Sequence, residues 1–251
     1  MLSCGGRIAQ QAAAGARVIV ITLCAGDPPD GPLSDFAQEL HDRWELPRSA
    51  AELRRAEDRA ALSLLGAQAL HLPLPDSIYR RAGPADGGAP LYASEEAIFG
   101  SLHPLESWLN LDWSAQLREF GPLRPDTEVN VPLGIGGHVD HQLVWRMADD
   151  WVGAQAGVSY YEDYPYAEDQ ALVQQWVEGR GWAALWVWLS EAELERKAQA
   201  VACYRSQLST FWPDEAAMRV ALRAQAAAVA DRPGLAERLW YNPASRSLGN
   251  T

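Results

Sequence analysis

The sequence predicts an α/β fold in which a mainly parallel sheet is flanked by helices. Short β-branched runs alternate with longer stretches whose apolar residues recur at helical spacing, as in strand–helix–strand units. Loops rich in Gly, Asp and Pro follow the strands, where α/β folds place their ligand-binding segments. No repeat or linker interrupts the pattern. Residues 1–251 are therefore predicted to form a single domain with a polar tail from about residue 241.

The elements are assigned in chain order. Strands are predicted over residues 17–23, 67–72, 127–132, 157–161 and 182–189. Helices are predicted over residues 3–14, 34–44, 50–65, within 94–119, 140–155, 167–178 and 190–204, and in the Ala-rich last fifty residues. The first of these strands is a β-branched run, typical of a strand buried on both faces. Residues 73–95 form a long Pro- and Gly-rich loop, and a loop of that length is more often functional than idle.

Composition argues against several classes of partner. The net charge is −12 and no run of Lys or Arg is present, which disfavours nucleic acid and anionic membrane surfaces. Cys4, Cys24 and Cys203 are odd in number and far apart, as expected of reduced thiols. No apolar run reaches the length of a membrane span, and the first residues lack the features of a signal peptide. We expect a cytoplasmic protein with a small-molecule partner, and a homo-oligomer stays open.

The segment Gly134-Ile-Gly-Gly-His-Val-Asp-His141 concentrates the ionisable residues. His138, Asp140 and His141 follow three glycines and precede an apolar run with helical spacing, so a helix should begin there. Because His138 and His141 are one turn apart, they can face the same cavity. Two imidazoles and a carboxylate suit metal binding or acid–base chemistry. The alternative is a helix start with an Asp near the positive dipole end and two incidental histidines. Of the other histidines, His41 is predicted to lie at the surface and His71 at a strand end.

Five short segments occur in an order and spacing that is specific, although each alone is weak. They are Cys4-Gly-Gly-Arg-Ile-Ala9, Arg17–Gly26, the Arg-x-x-Glu helix Arg54–Gly66, Gly137-His-Val-Asp-His141 and Lys197–Gln207. Together they make the chain resemble the zinc-dependent LmbE-like or PIG-L N-deacetylases. The resemblance implies a Rossmann-like (LmbE-like) fold and a Zn²⁺ cofactor, with another divalent metal left open. It also implies removal of an acetyl group from an N-acetylglucosamine-type sugar or conjugate.

The same resemblance implies roles for individual residues. His141 would bind the metal, and His138 would stabilise the oxyanion or act as general acid. Asp140 would orient an imidazole. Arg54 and Asp76 match positions at which the family holds sugar hydroxyls or a phosphate. A surface ion pair is the alternative for Arg54, and a turn residue is the alternative for Asp76.

The sequence departs from the family at its start. The family's Ala-His-Pro-Asp-Asp block supplies two further metal ligands and the general base, and the sequence contains neither this block nor the strand before it. The simplest explanation is an N-terminal truncation, such as a start codon assigned too late. We then expect the first strand of the sheet to be missing, zinc to bind weakly and catalysis to be impaired.

Other functions stay open. One is a metal-free carbohydrate-binding or regulatory relative without catalysis. Another is a zinc hydratase, or an amide hydrolase that acts on a non-sugar substrate. An iron oxygenase with a His-x-Asp…His site is disfavoured, because that site lies in an all-β jelly roll and this sequence alternates helices with strands.

Overall fold

The computed structural model describes residues 1–43, 47, 50–107, 112–117, 123–124, 126–152 and 157–246. The chain packs as two units. The first comprises Met1–Tyr79 and Trp186–Arg238, and the second comprises Arg80–Leu185 and Leu239–Thr251. The single domain predicted over residues 1–251 stays a prediction.

Strands and helices alternate along the chain, which confirms the α/β class. The strands are β1 Ile19–Thr22, β2 Gln68–His71, β3 Glu128–Pro132, β4 Gly157–Tyr161, β5 Ala183–Leu189 and β6 Leu235–Tyr241. The α-helices are α1 Gly5–Ala13, α2 Asp35–Arg43, α3 Ala50–Leu65, α4 Glu95–Ile98, α5 Trp113–Gln116, α6 Val139–Val152, α7 Gln170–Val177, α8 Glu191–Val201, α9 Arg205–Phe211, α10 Glu215–Ala228 and α11 Pro243–Arg246. None of these helices is long and apolar enough to cross a membrane, within the part of the chain that is described.

The helix prediction for the last fifty residues is wrong at β6. The segment Leu-Ala-Glu-Arg-Leu-Trp-Tyr is rich in good helix formers, but it forms a strand that pairs antiparallel with β4. Tertiary pairing therefore overrides local propensity here. The predicted polar tail contains the short helix α11, and residues 247–251 lie outside the described residues.

In the first unit, β1 and β2 form a two-stranded parallel sheet, in register from Ile19↔Gln68 to Thr22↔His71. All four residues of β1 are half-buried, whereas the sequence predicted burial on both faces. Each strand of a two-stranded sheet keeps one edge without a strand partner, which limits how far it is enclosed. The helices α1, α3 and α8 pack together through mostly small side chains. Their shared core consists of Ile8, Ala9, Ala61, Leu65 and Ala200.

A buried carboxylate fixes the start of α1. Glu237, on β6, is 3% exposed and accepts hydrogen bonds from the Gly6 and Arg7 backbone N–H groups, each at 2.8 Å. Its third partner is the Lys197 ammonium on α8, also at 2.8 Å. The carboxylate thus satisfies two N–H groups that a helix start leaves without partners and complements the positive end of the helix dipole. A Cβ at Gly6 would lie 2.5 Å from the Leu189 side chain, so a larger residue at this position would require Leu189 to move.

In the second unit, β3 and β4 are parallel neighbours, in register from Glu128↔Gly157 to Pro132↔Tyr161. The sheet that contains them has the strand order β3-β4-β6-β5. Because parallel neighbours end at the same edge, the segments that follow β3 and β4 meet there. The core behind this edge consists of Leu133, Ile135, Ala167, Val173, Val177 and Trp240.

We predict that Glu237→Gln lowers the free energy of unfolding by about 3 to 5 kcal/mol, because it leaves the buried Lys197 ammonium without its counter-charge. Urea denaturation followed by circular dichroism measures the change. The matched control is Glu195→Gln, which removes the charge from an exposed pair with Arg219 and should cost about 0 to 1 kcal/mol. Equal, small losses in the two variants would contradict this account of Glu237.

Candidate functional site

The glycine-rich segment forms a turn that leads into α6. The three glycines at positions 134, 136 and 137 have φ angles of 82°, 86° and 74°, a left-handed conformation that favours glycine. The turn places His138 directly before α6, and Asp140 and His141 in its first turn. The helix predicted from residue 140 therefore begins one residue earlier, at Val139.

The two imidazoles of this segment lie side by side. The ring centroids of His138 and His141 are 5.7 Å apart, and their side chains are 20% and 30% exposed. The Phe99 ring packs edge-on against His138 at 5.4 Å. The Nδ1 atom of His138 accepts a hydrogen bond from the Asp140 backbone N–H at 3.2 Å. A neutral His138 therefore carries its proton on Nε2, which can donate a hydrogen bond.

The carboxylate of Asp140 binds an arginine. Its Oδ1 accepts a hydrogen bond from the Arg80 guanidinium, whereas its Oδ2 lies 4.0 Å from His138 Nδ1, beyond hydrogen-bond reach. Arg80 is 3% exposed, lies 3.3 Å from the buried Glu106 carboxylate and stacks over the Tyr92 ring at 5.2 Å. The geometry thus ties the Asp140 carboxylate to a buried charge cluster, while the Asp140 backbone N–H contacts His138.

Tyr92 completes this cluster. Its hydroxyl donates to Glu106 Oε2 at 3.2 Å and accepts from the His103 backbone N–H at 3.0 Å. Burial raises the pKa of the Tyr92 hydroxyl above its ordinary value, and the Glu106 carboxylate adds to the rise. Tyr92 is therefore a neutral donor near neutral pH.

Asp163, just beyond the end of β4, contacts both ends of the glycine-rich segment. It is 3% exposed, and its Oδ2 accepts hydrogen bonds from the Gly134 and Ile135 backbone N–H groups at 2.6 and 3.0 Å. Its Oδ1 lies 3.1 Å from His141 Nδ1. Burial, followed by the charge of Asp163, raises the pKa of the neighbouring Tyr166 hydroxyl. In the sequence, the only signal for Asp163 is an acidic pair directly after a strand.

Arg54 and Asp76, the predicted substrate-binding residues, belong to the first unit. Arg54 Nη1 lies 3.9 Å from Asp76 Oδ2, and each side chain is 33% exposed. Both line a cavity of about 240 Å³ whose walls also include Thr22, Gly26, His71, Tyr204 and Gln207. Asp76 also accepts a hydrogen bond from the Ile78 backbone N–H, so it has the contacts of a turn residue as well. The structure therefore brings these two predicted residues together.

The late Ser-Gln segment meets the Arg-x-x-Glu helix within the first unit. The Glu57 carboxylate accepts hydrogen bonds from the Ser206 backbone N–H at 2.9 Å and from its hydroxyl at 2.6 Å. Beside them, the Asp58 carboxylate lies 2.8 Å from His71 Nε2 and accepts a hydrogen bond from the Tyr204 hydroxyl. These contacts join α3 to the start of α9.

Sequence reasoning missed two buried histidine contacts. His41 is 4% exposed and its Nε2 lies 2.6 Å from the Tyr79 hydroxyl, so the surface prediction for His41 is wrong. His41 lies on the apolar face of α2 with Ala37 and Leu40, at helical spacing that could have indicated burial. His71 does end a strand, as predicted, but it also pairs with Asp58 across thirteen residues of chain. No local pattern could show that pairing.

The donor set does not fit a complete metal centre. Across the described ranges, no group of three His, Cys, Asp or Glu side chains is placed to hold a metal ion. His141 offers one imidazole beside His138, the Asp140 carboxylate binds Arg80, and one of the two Asp163 oxygens binds backbone N–H groups.

Comparison with known proteins establishes the family. Residues 1–152, more than half of the chain, match the family described as PIG-L: GlcNAc-PI de-N-acetylase. The chain belongs to the PIG-L (LmbE-like) family, and the resemblance seen in the five segments is confirmed. None of the curated proteins matches it.

Solved structures agree with this assignment. The zinc-inhibited form of the teicoplanin deacetylase Orf2 is 30% identical with a TM-score of 0.78, and the match covers 95% of this chain and 92% of that one. The deacetylase Dbv21, which acts on an antimicrobial pseudoaglycone, is 27% identical with a TM-score of 0.68, over 96% and 90% of the two chains. The N,N'-diacetylchitobiose deacetylase of Pyrococcus horikoshii is 16% identical with a TM-score of 0.52, over 96% and 79%, and shows the fold alone.

We predict that Arg80→Met lowers the free energy of unfolding by about 3 to 5 kcal/mol, because it leaves the Glu106 and Asp140 carboxylates in the protein interior without a cation. Chemical denaturation measures the loss. Arg124→Met is the control, since its pair with Asp126 is mostly exposed and should cost about 0 to 1 kcal/mol. A loss for Arg80→Met as small as that of the control would refute the role given to Arg80.

Tyr204, which lines the cavity of the first unit, should make the protein less stable at alkaline pH. Burial, then the Asp58 carboxylate, raises the pKa of the Tyr204 hydroxyl above its ordinary value. Because the folded-state pKa is the higher one, this contribution is complete below about pH 10 and is lost as the pH rises above it. Tyr204→Phe should therefore flatten the fall in unfolding free energy between about pH 9.5 and 11, measured by urea denaturation at each pH. An unchanged slope would contradict the assignment.

Proposed function

We propose that this chain is a metal-dependent N-deacetylase that removes the acetyl group from an N-acetylglucosamine-type sugar conjugate by amide hydrolysis. The observation that supports this most directly is the pair of imidazoles at the start of α6, in a chain that belongs to the PIG-L family. The reaction adds water to the acetyl carbonyl, breaks the C–N bond, and releases acetate and the free amine.

The proposed roles follow from the contacts of each residue. His138 donates a hydrogen bond from Nε2 to the oxyanion, because its Nδ1 already accepts a hydrogen bond from the Asp140 backbone N–H. Asp140, held by Arg80, keeps the first turn of α6 in place and lends negative charge beside His138. Arg54 and Asp76 bind sugar hydroxyls or a phosphate, since both line the cavity of the first unit.

Zinc is the proposed cofactor, although another divalent metal would satisfy the same chemistry. The support is the family resemblance and the zinc-inhibited form of the teicoplanin deacetylase among the related structures. His141 is the residue of this chain proposed as a ligand. Because the described residues include no group of three side chains placed to hold a metal ion, we propose that the chain binds zinc weakly and is impaired as an enzyme.

The related structures also suggest a substrate to test. A deacetylase 30% identical to this chain has been crystallised with teicoplanin. We therefore propose a large conjugate that carries N-acetylglucosamine, of the teicoplanin type, as the first compound to assay.

The test combines acetate release with zinc titration calorimetry. We predict weak zinc binding and slow acetate release from teicoplanin for the parent chain. His141→Ala should abolish zinc binding, and His138→Ala should lower the rate by roughly 10²- to 10³-fold, as for loss of one oxyanion donor. His103→Ala is the control, because its ring contacts the Leu105 backbone N–H and lies outside the motif. Unchanged rates in both motif variants would refute the proposed roles.

A second candidate function is a metal-free carbohydrate-binding or regulatory protein. The absence of a three-ligand cluster in the described residues favours it. Titration with amino sugars, with and without zinc, separates the two. Zinc-independent sugar binding without acetate release supports the binding protein, whereas stoichiometric zinc with rapid acetate release supports the enzyme and contradicts impairment. Translating the DNA upstream of the Met1 codon in frame tests directly for a His-Pro-Asp-Asp block.

A further inference from the structure

The side chain of Asp163 has one oxygen that is fully engaged and one that is not. Oδ2 accepts the Gly134 and Ile135 backbone N–H groups, so the position of the carboxylate is fixed from one side. Oδ1 is buried and makes no hydrogen bond with another described residue. The same is true of His141 Nδ1, although 30% of that side chain is exposed.

These two buried atoms are each other's neighbours. They lie 3.1 Å apart, a hydrogen-bond distance, but the ring N–H direction at Nδ1 is not aimed at the oxygen. A buried polar atom that stays without a partner costs free energy, about 1 to 3 kcal/mol in proteins generally. A hydrogen bond between them would satisfy both atoms at once. No donor elsewhere in the described structure makes a hydrogen bond to Oδ1.

The carboxylate of Asp163 decides which nitrogen of the His141 ring carries the proton. A carboxylate only accepts, so a hydrogen bond between the two atoms requires the proton to sit on Nδ1. In the neutral ring the lone pair is then on Nε2. A histidine held in this way by a carboxylate has a fixed orientation and a more basic outer nitrogen.

We propose that Asp163 is a positioning residue that holds His141 as the Nδ1–H tautomer and leaves the Nε2 lone pair available to a ligand. The same carboxylate fixes the turn at Gly134 through its other oxygen, so one side chain sets both the turn and the tautomer. The use of that lone pair in hydrolysis rests on the proposed function. The tautomer itself does not, so the two can fail separately.

The discriminating variant is Asp163→Asn. The asparagine carbonyl oxygen can still accept the Gly134 and Ile135 N–H groups, while its NH₂ group faces His141 Nδ1 as a donor. The turn is then kept and the tautomer is inverted to Nε2–H. Asp169→Asn is the matched control, because Asp169 caps α7 at the surface and asparagine is an equally good cap.

The measurement is a long-range ¹H–¹⁵N spectrum of the imidazole nitrogens at about pH 9, where histidine is ordinarily neutral. The chain has five histidines, and His141→Asn identifies the signals of His141. We expect Nδ1–H in the parent and in Asp169→Asn, and Nε2–H in Asp163→Asn, with the same circular dichroism spectrum in all three.

Two results would overturn the proposal. One is a parent His141 that carries its proton on Nε2, or on both nitrogens, at that pH. The other is a folded Asp163→Asn variant whose His141 keeps Nδ1–H, since something other than Asp163 would then set the tautomer. If the variant does not fold, the spectrum of the parent decides alone, because it reports the tautomer directly.

Discussion

The hydrogen bonds from the Gly134 and Ile135 amides to Asp163 are the constraint on which the candidate site depends. They close the corner at which two parallel strands end side by side, and they fix where the turn before α6 begins. The placement of both imidazoles follows from that start, because a helix advances each residue by a set rotation. Without the buried carboxylate, the glycine-rich turn would have more accessible conformations, and the place at which α6 begins would be less well defined.

The first unit uses the same device with a different third partner. Glu237 accepts two consecutive backbone N–H groups, at 2.8 Å each, and the ammonium of Lys197. Asp163 accepts two consecutive N–H groups and lies 3.1 Å from an imidazole. A lysine makes the first arrangement a structural ion pair, since its charge is permanent near neutral pH. In the second arrangement the partner is the partly exposed imidazole of His141. Its Nε2 atom can still bind a ligand, so this arrangement is available for chemistry.

The Asp140 carboxylate in the glycine-rich segment is held by Arg80, which lies outside that segment. Asp140 is tied to Arg80, which also lies against Glu106 and Tyr92, so the first turn of α6 is anchored to the long Pro- and Gly-rich loop that contains Arg80. That loop was predicted to be functional on its length alone. Within the second unit, the loop contributes the buried guanidinium of Arg80. This cation holds Asp140 in place because its other partners, Glu106 and Tyr92, surround it at the same time.

The sequence by itself determined the α/β class, the bounds of five strands to within two residues, the start of α6 and the family. These rest on local periodicity, on glycine conformation and on short motifs, all of which are legible along the chain. Only the tertiary structure decided that β6 is a strand, that His41 is buried against Tyr79, and that Asp163 reaches His141. The physical reason is that each of these depends on a partner far away in sequence, whether a strand to pair with, a hydroxyl or an imidazole, and local propensity carries no record of that partner.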